Sequence, residues 1–168
     1  DGLSYTFHLR PGVSFHSTEY FKPSRAFNAD DVAFTFERML NPDNPWYKTA
    51  PTGYPHAQAM QFPKLIKAVR KLDAQTVRFE LNYPEATFLS SLTMGFASIY
   101  SAEYAGQLLA AGKTADLNSK PVGTGPFVFK SFAKDAQVRY LPNPAYFGGK
   151  PKVSALIYAI TPDSAVRL

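Results

Sequence analysis

The sequence predicts a mixed α/β (α+β) protein, and three observations carry that expectation. Apolar residues alternate strictly in several short runs, among them Tyr5, Phe7 and Leu9, then Val77, Phe79 and Leu81, which is the period-two signature of half-buried strands. Between those runs Ala29, Val32, Ala33, Phe36 and Leu40 recur at helical spacing, so one helix face is buried. The texture then changes at Pro121-Val122-Gly123-Thr124-Gly125-Pro126, beyond which Phe127, Phe129 and Phe132 and then Val138, Tyr140 and Leu141 flank a turn. Each proline fixes φ and withdraws a donor, and the glycines open backbone angles that other residues avoid. A specified crossing between two structural units is therefore expected, with residues 1–122 before it and 123–168 after it.

The totals fit this reading. A chain of 168 residues holds one domain, or one domain and part of a second, and buries roughly 68–70% of its unfolded surface. Its 14 Phe and 10 Tyr suit β-structure and aromatic packing, and its 14 Pro suit long ordered loops. No run approaches the ~20 apolar residues that cross a bilayer. With no Cys, disulfides and thiolate metal sites are excluded, and the compartment stays open. The start lacks a basic and then apolar leader, and alternation sets in almost at once. Thr161 to Leu168 looks like a helix opening and then interrupted. Both ends are thus expected to be truncations. The net charge of +5 admits an anionic partner.

Taken in order, residues 4–9 form a strand ended by the turn Arg10-Pro11-Gly12. Val13 and Phe15 resume the alternation, so a hairpin or bent strand is expected, with His8 and His16 on its polar, outward face. Phe27-Asn28-Ala29-Asp30-Asp31 signals a helix start: Asn28 caps, Asp31 reaches back, and both carboxylates suit the helix dipole. Acid/base chemistry by the pair is the rarer use. The helix stops at Asn41-Pro42. Residues 41–62 form a long, proline-stiffened loop too apolar for a linker, in which Trp46 and Tyr54 are candidate ligand contacts and simple packing is the commoner role.

A hairpin is expected from about 66 to 82, turning at Asp73-Ala74-Gln75-Thr76. Its Lys and Arg residues fall on both faces, against a phosphate-binding stripe and a nucleic-acid partner. A short helix should begin near Glu85. Met94-Gly95-Phe96-Ala97-Ser98 looks strand-like, and Met94 and Phe96 join Tyr54 as candidate ligand-binding residues. A further helix opens at Ser101 and stops at Gly112, residues 117–120 are loop, and a hairpin occupies 127–141. Residues 155–160 are apolar on both faces, as in the middle of a sheet. Gly148-Gly149-Lys150 lacks the spacing of a phosphate loop.

Several of these pieces stand in an informative order: Tyr5-Thr6-Phe7-His8-Leu9-Arg10-Pro11-Gly12-Val13, Asn28-Ala29-Asp30-Asp31-Val32, Gly123-Thr124-Gly125-Pro126-Phe127, Tyr146-Phe147-Gly148-Gly149-Lys150-Pro151 and Ile160-Thr161-Pro162-Asp163. Together they resemble the family 5 extracellular solute-binding proteins of bacterial ABC importers, and among them the periplasmic dipeptide-binding proteins. The resemblance implies a periplasmic-binding-protein-like II fold in a receptor about three times this length. On that plan residues 1–122 are most of a domain attached to the first lobe, and 123–168 re-enter that lobe. It also implies a monomer in the periplasm, with a peptide ligand, an ABC permease as partner, no nucleic acid, no cofactor, no metal and no catalysis. Another solute, such as haem, an antimicrobial peptide or a nickel chelate, stays open. So does a hydrolase using His16 or His56, although no nucleophile elbow or metal-ligand spacing supports one.

Overall fold

The computed structural model describes residues 2–50 and 52–162. The helix expected to open near Thr161 falls, from residue 163 on, outside the described residues. In chain order the elements are β1 (Ser4–His8), α1 (Ala29–Leu40), α2 (Pro55–Ala59), α3 (Phe62–Leu65), β2 (Ile66–Asp73), β3 (Thr76–Leu81), α4 (Phe88–Ser91), α5 (Ala102–Ala110), α6 (Asp116–Ser119), β4 (Phe127–Ala133), β5 (Gln137–Pro142) and β6 (Leu156–Ala159). They form two antiparallel sheets, ordered β1-β3-β2 and β4-β5-β6.

α1 starts as its sequence dictates. The Asn28 side chain accepts from Asp30 N at 2.9 Å, and the Asp31 carboxylate accepts from Asn28 N at 3.0 Å. Asp31 also does what local pattern does not show. Fully buried, it takes both terminal nitrogens of Arg25 at 2.8 Å each and the amide of Ala102 at 2.8 Å. Next to it, the Thr35 hydroxyl donates to Asp31 O and accepts from Tyr100 N, both at 2.8 Å. The helix start, the 25-loop and the start of α5 thus converge on one carboxylate, which leaves Asp31 no role as a free acid or base.

The apolar face of α1 lies on β2 and β3. Val32, Phe36 and Met39 pack with Phe62, Val77, Phe79, Leu81 and Phe88, and Phe36 meets the edge of Phe79 at 4.8 Å between ring centres. A second cluster gathers Phe15, Phe21, Trp46, Tyr104, Leu108 and Leu117 around α5. Gly112 ends that helix with φ at +66°, a conformation that L side chains rarely adopt.

Five expectations change. β1 pairs with β3 rather than with residues 13–15; Val13 and Phe15 are buried without forming a strand, and their alternation marks inward packing alone. The short helix begins at Phe88, because the Glu85 carboxylate closes a turn on Thr87 first. Met94-Gly95-Phe96-Ala97-Ser98 contains a 3₁₀ turn over Gly95–Ala97 instead of a strand, and residues 116–119 are helical rather than loop. Finally β6 lies at an edge among the described residues, with Ile157 51% and Tyr158 58% exposed, so the apolar character of its two faces is not satisfied here.

The crossing is held differently from its composition. Neither Gly123 nor Gly125 takes a positive φ. His16, expected outward, is instead buried against them. Its backbone N donates to Gly123 O at 2.7 Å, its Nδ1 accepts from Gly123 N at 3.2 Å, and its Nε2 lies 2.9 Å from Gly125 O. An acceptor role at Nδ1 fixes the neutral ring with its proton on Nε2, which donates to Gly125. The Tyr20 hydroxyl donates to Pro121 O at 2.9 Å and the Asn143 side chain to Gly125 O at 3.0 Å.

Burial lowers the pKa of His16 below its ordinary 6.5, the Gly125 bond working against that shift. The unfolded chain therefore takes up the proton first as pH falls. The His16 contribution is fully present above the unfolded value of about 6.5 and is lost as pH drops from there through the lowered folded value. Thermal unfolding followed between neutral and mildly acidic pH is expected to show this loss, and His16→Gln is expected to flatten that part of the profile. An unchanged slope in the variant would remove His16 as its source.

Candidate functional site

The candidate site is a cavity of about 380 Å³ at the C-terminal end of α1, lined in part by Arg38, Trp46, Tyr54, Phe96 and Tyr100. Three segments build it. α1 delivers Arg38 one turn beyond Thr35, which anchors Tyr100 through the bond described above. The proline-stiffened loop supplies Trp46 and Tyr54, tied together by the Tyr54 hydroxyl donating to Trp46 O at 3.1 Å. The 3₁₀ turn supplies Phe96, whose ring meets Phe62 of the core at 5.3 Å and stacks on exposed His56 at 6.1 Å.

Arg38 is the unusual member. It is only 9% exposed, has no ion pair among the described residues, and its buried Nε has no hydrogen-bond partner. Its guanidinium lies over Tyr100 at 4.1 Å and beside Tyr54 at 5.3 Å. Such contacts return ~2 kcal/mol when desolvated, and a cation in the last helical turn gains roughly 0.3–1 kcal/mol from the dipole. Burying an unpaired ion costs several kcal/mol, about as much as these gains together or more. Only Nε is fully shut off without a partner, so the charge has no counter-charge among the described residues and is open at its terminal nitrogens. Burial raises the pKa of Tyr54, with the Arg38 charge opposing it, so the phenol stays a neutral donor at physiological pH.

The structure brings Tyr54, Phe96 and Trp46 to this one cavity. Met94, 45% exposed, lies outside it on a neighbouring groove with Met60 and His56. His16 and His56 are far apart in role: one is locked in the crossing, the other stacks on Phe96. Among the described residues no three His, Cys, Asp or Glu side chains cluster to hold a metal, and no helix is long and apolar enough to cross a membrane. Sequence reasoning missed Arg38 and Tyr100 as site residues. A signal for Arg38 existed: it borders the apolar stripe, and positions three and four away on either side hold Phe34, Thr35, Asn41 and Pro42, none acidic.

The sequence model of the family described as "Bacterial extracellular solute-binding proteins, family 5 Middle" matches residues 1–168. The chain belongs to this family. The resemblance read from the motifs is thereby borne out, and with it the periplasmic-binding-protein type II fold expected of family 5 members. Among relatives, "Probable di/tripeptide-binding protein 5" of Pseudomonas aeruginosa is 64% identical over 168 residues, all of this chain and 32% of that protein. "Heme-binding protein A" of Haemophilus influenzae is 51% identical over 99% of this chain and 30% of that one. The crystal structure of a dipeptide binding protein from Pseudoalteromonas in complex with Met-Leu superposes with a TM-score of 0.94 at 40% identity, covering 99% of this chain and 33% of its own. The chain therefore spans about a third of the length of the family 5 relatives it matches.

Proposed function

We propose that this chain is part of the substrate-binding component of an ABC importer for dipeptides and oligopeptides, a periplasmic receptor that captures peptide by hinge closure and delivers it to the permease. The observation that carries this reading is 64% identity, over every residue of the chain, to a protein named for di/tripeptide binding. In this reading the chain binds and does not catalyse, acts within a monomeric receptor, and needs no cofactor or metal. Residues 1–122 form most of a domain attached to the first lobe, and 123–168 re-enter that lobe. Two features support the division. The crossing at Pro121 to Pro126 is pinned by His16, Tyr20 and Asn143, and both hydrophobic clusters draw their buried members from residues before 118. Tyr54 and Phe96, which share the cavity, and Met94 beside it are offered as peptide contacts.

A second reading, haem as the solute, rests on the relative named for haem binding. Mass spectrometry and visible absorption of whatever copurifies with the complete receptor separate the two: small peptides are expected, and a stoichiometric haem band would replace the peptide reading. Because a cleft needs two walls, the 168-residue chain alone is expected to show no measurable dipeptide binding in titration calorimetry. Micromolar affinity there would overturn the division into lobes.

A further inference from the structure

We propose that the cavity at the end of α1 is a binding site in its own right, taking the carboxylate of a small free monocarboxylic acid on Arg38. The inference does not rest on the peptide reading. It starts from a contrast within the chain. Arg25, with its side chain 31% exposed, is paired bidentately with a carboxylate, whereas Arg38, 9% exposed, is paired with none among the described residues. A buried guanidinium without a counter-charge marks a place where an anion is still to come.

The geometry selects the anion. Tyr100 and Tyr54 lie against the guanidinium and its Nε is shut off from solvent, so an acceptor approaches the end that carries the two terminal nitrogens. A planar carboxylate matches that end with two parallel hydrogen bonds. Trp46 and Phe96 add two further aromatic faces to a wall otherwise of small and polar residues, which favours an acid with an apolar, ring-sized body. At about 380 Å³ the space falls within the usual range for small-ligand cavities of roughly 300–1,000 Å³. Thr49 and Asn118 line it as well and supply polar groups that a bare hydrophobic pocket lacks.

The test uses the full-length receptor and para-fluorobenzoate, followed by fluorine NMR line broadening, with para-fluorobenzamide as the neutral isostere. Each titration is run with and without excess dialanine. The acid is expected to broaden at millimolar concentration or below in both conditions, and the amide to remain sharp. Arg38→Gln is expected to weaken acid binding ~10- to 100-fold, the scale of a hydrogen bond to a charged group. Equal broadening by the amide, no broadening by the acid, undiminished binding to Arg38→Gln or displacement by the dipeptide would each overturn the proposal. If Arg38→Gln fails to fold, the acid-against-amide comparison on the unaltered receptor still decides. Dialanine binding, measured on the same sample, reports separately on the peptide reading.

Discussion

Replacing Asp31 with Ala lowers the unfolding free energy by ~3–5 kcal/mol, the cost expected when one partner of a buried ion pair is removed. The magnitude follows from what the carboxylate holds. It is fully buried, and it accepts from Arg25 twice, from Asn28 N and from Ala102 N. Its loss strands two backbone donors at two different helix starts and leaves Arg25 without a counter-charge. Arg25→Ala is expected to cost less, about 1–3 kcal/mol, because water reaches that side chain and the backbone donors still satisfy Asp31. The urea midpoint of each variant measures the difference. Equal losses would mean that the bonds from Asn28 and Ala102 contribute nothing.

Phe36→Ala is expected to cost a similar ~3–5 kcal/mol through lost burial and the cavity left behind. Phe36 is 1% exposed and touches Phe62 and Phe79, which in turn meet Phe88. The ring therefore joins α1 to the β1-β3-β2 sheet and to α3 at once. Phe36→Leu should lose less, since most of the volume remains. A fall below about 1 kcal/mol for the Ala variant, measured by the same urea titration, would place Phe36 among ordinary half-exposed positions and contradict its central place in the core.

The parts of the fold that were legible in the sequence are those decided within a few residues. The Asn28 and Asp31 cap and the Gly112 stop depend on neighbours three or four positions away, and the 66–82 and 127–141 hairpins on strands adjacent in sequence across a short turn. What escaped depends on partners far along the chain. Residues 13–15 alternate like a strand, yet Val13 O accepts from Phe27 N and His16 bonds Gly123, more than 100 positions on. Met94 to Ser98 is apolar enough for a strand, but no sheet edge receives it, and it closes a 3₁₀ turn. For the site, the aromatic loop pointed to Tyr54 because tyrosines among prolines have to pack somewhere. Arg38 stayed hidden because an arginine near a helix end is normally solvated, and only the fold shows that rings cover it.

The attachment at Gly123 and Gly125 carries a consequence for divergence. His16 and Tyr20 grip main-chain atoms there, and no hairpin side chain of β4 or β5 takes part in those bonds. Apart from the exposed Lys130–Glu19 pair, substitutions along that hairpin therefore leave these main-chain anchors untouched. Relatives named for such different cargoes as small peptides and haem align across nearly all of this chain, as anchoring through main-chain atoms would permit.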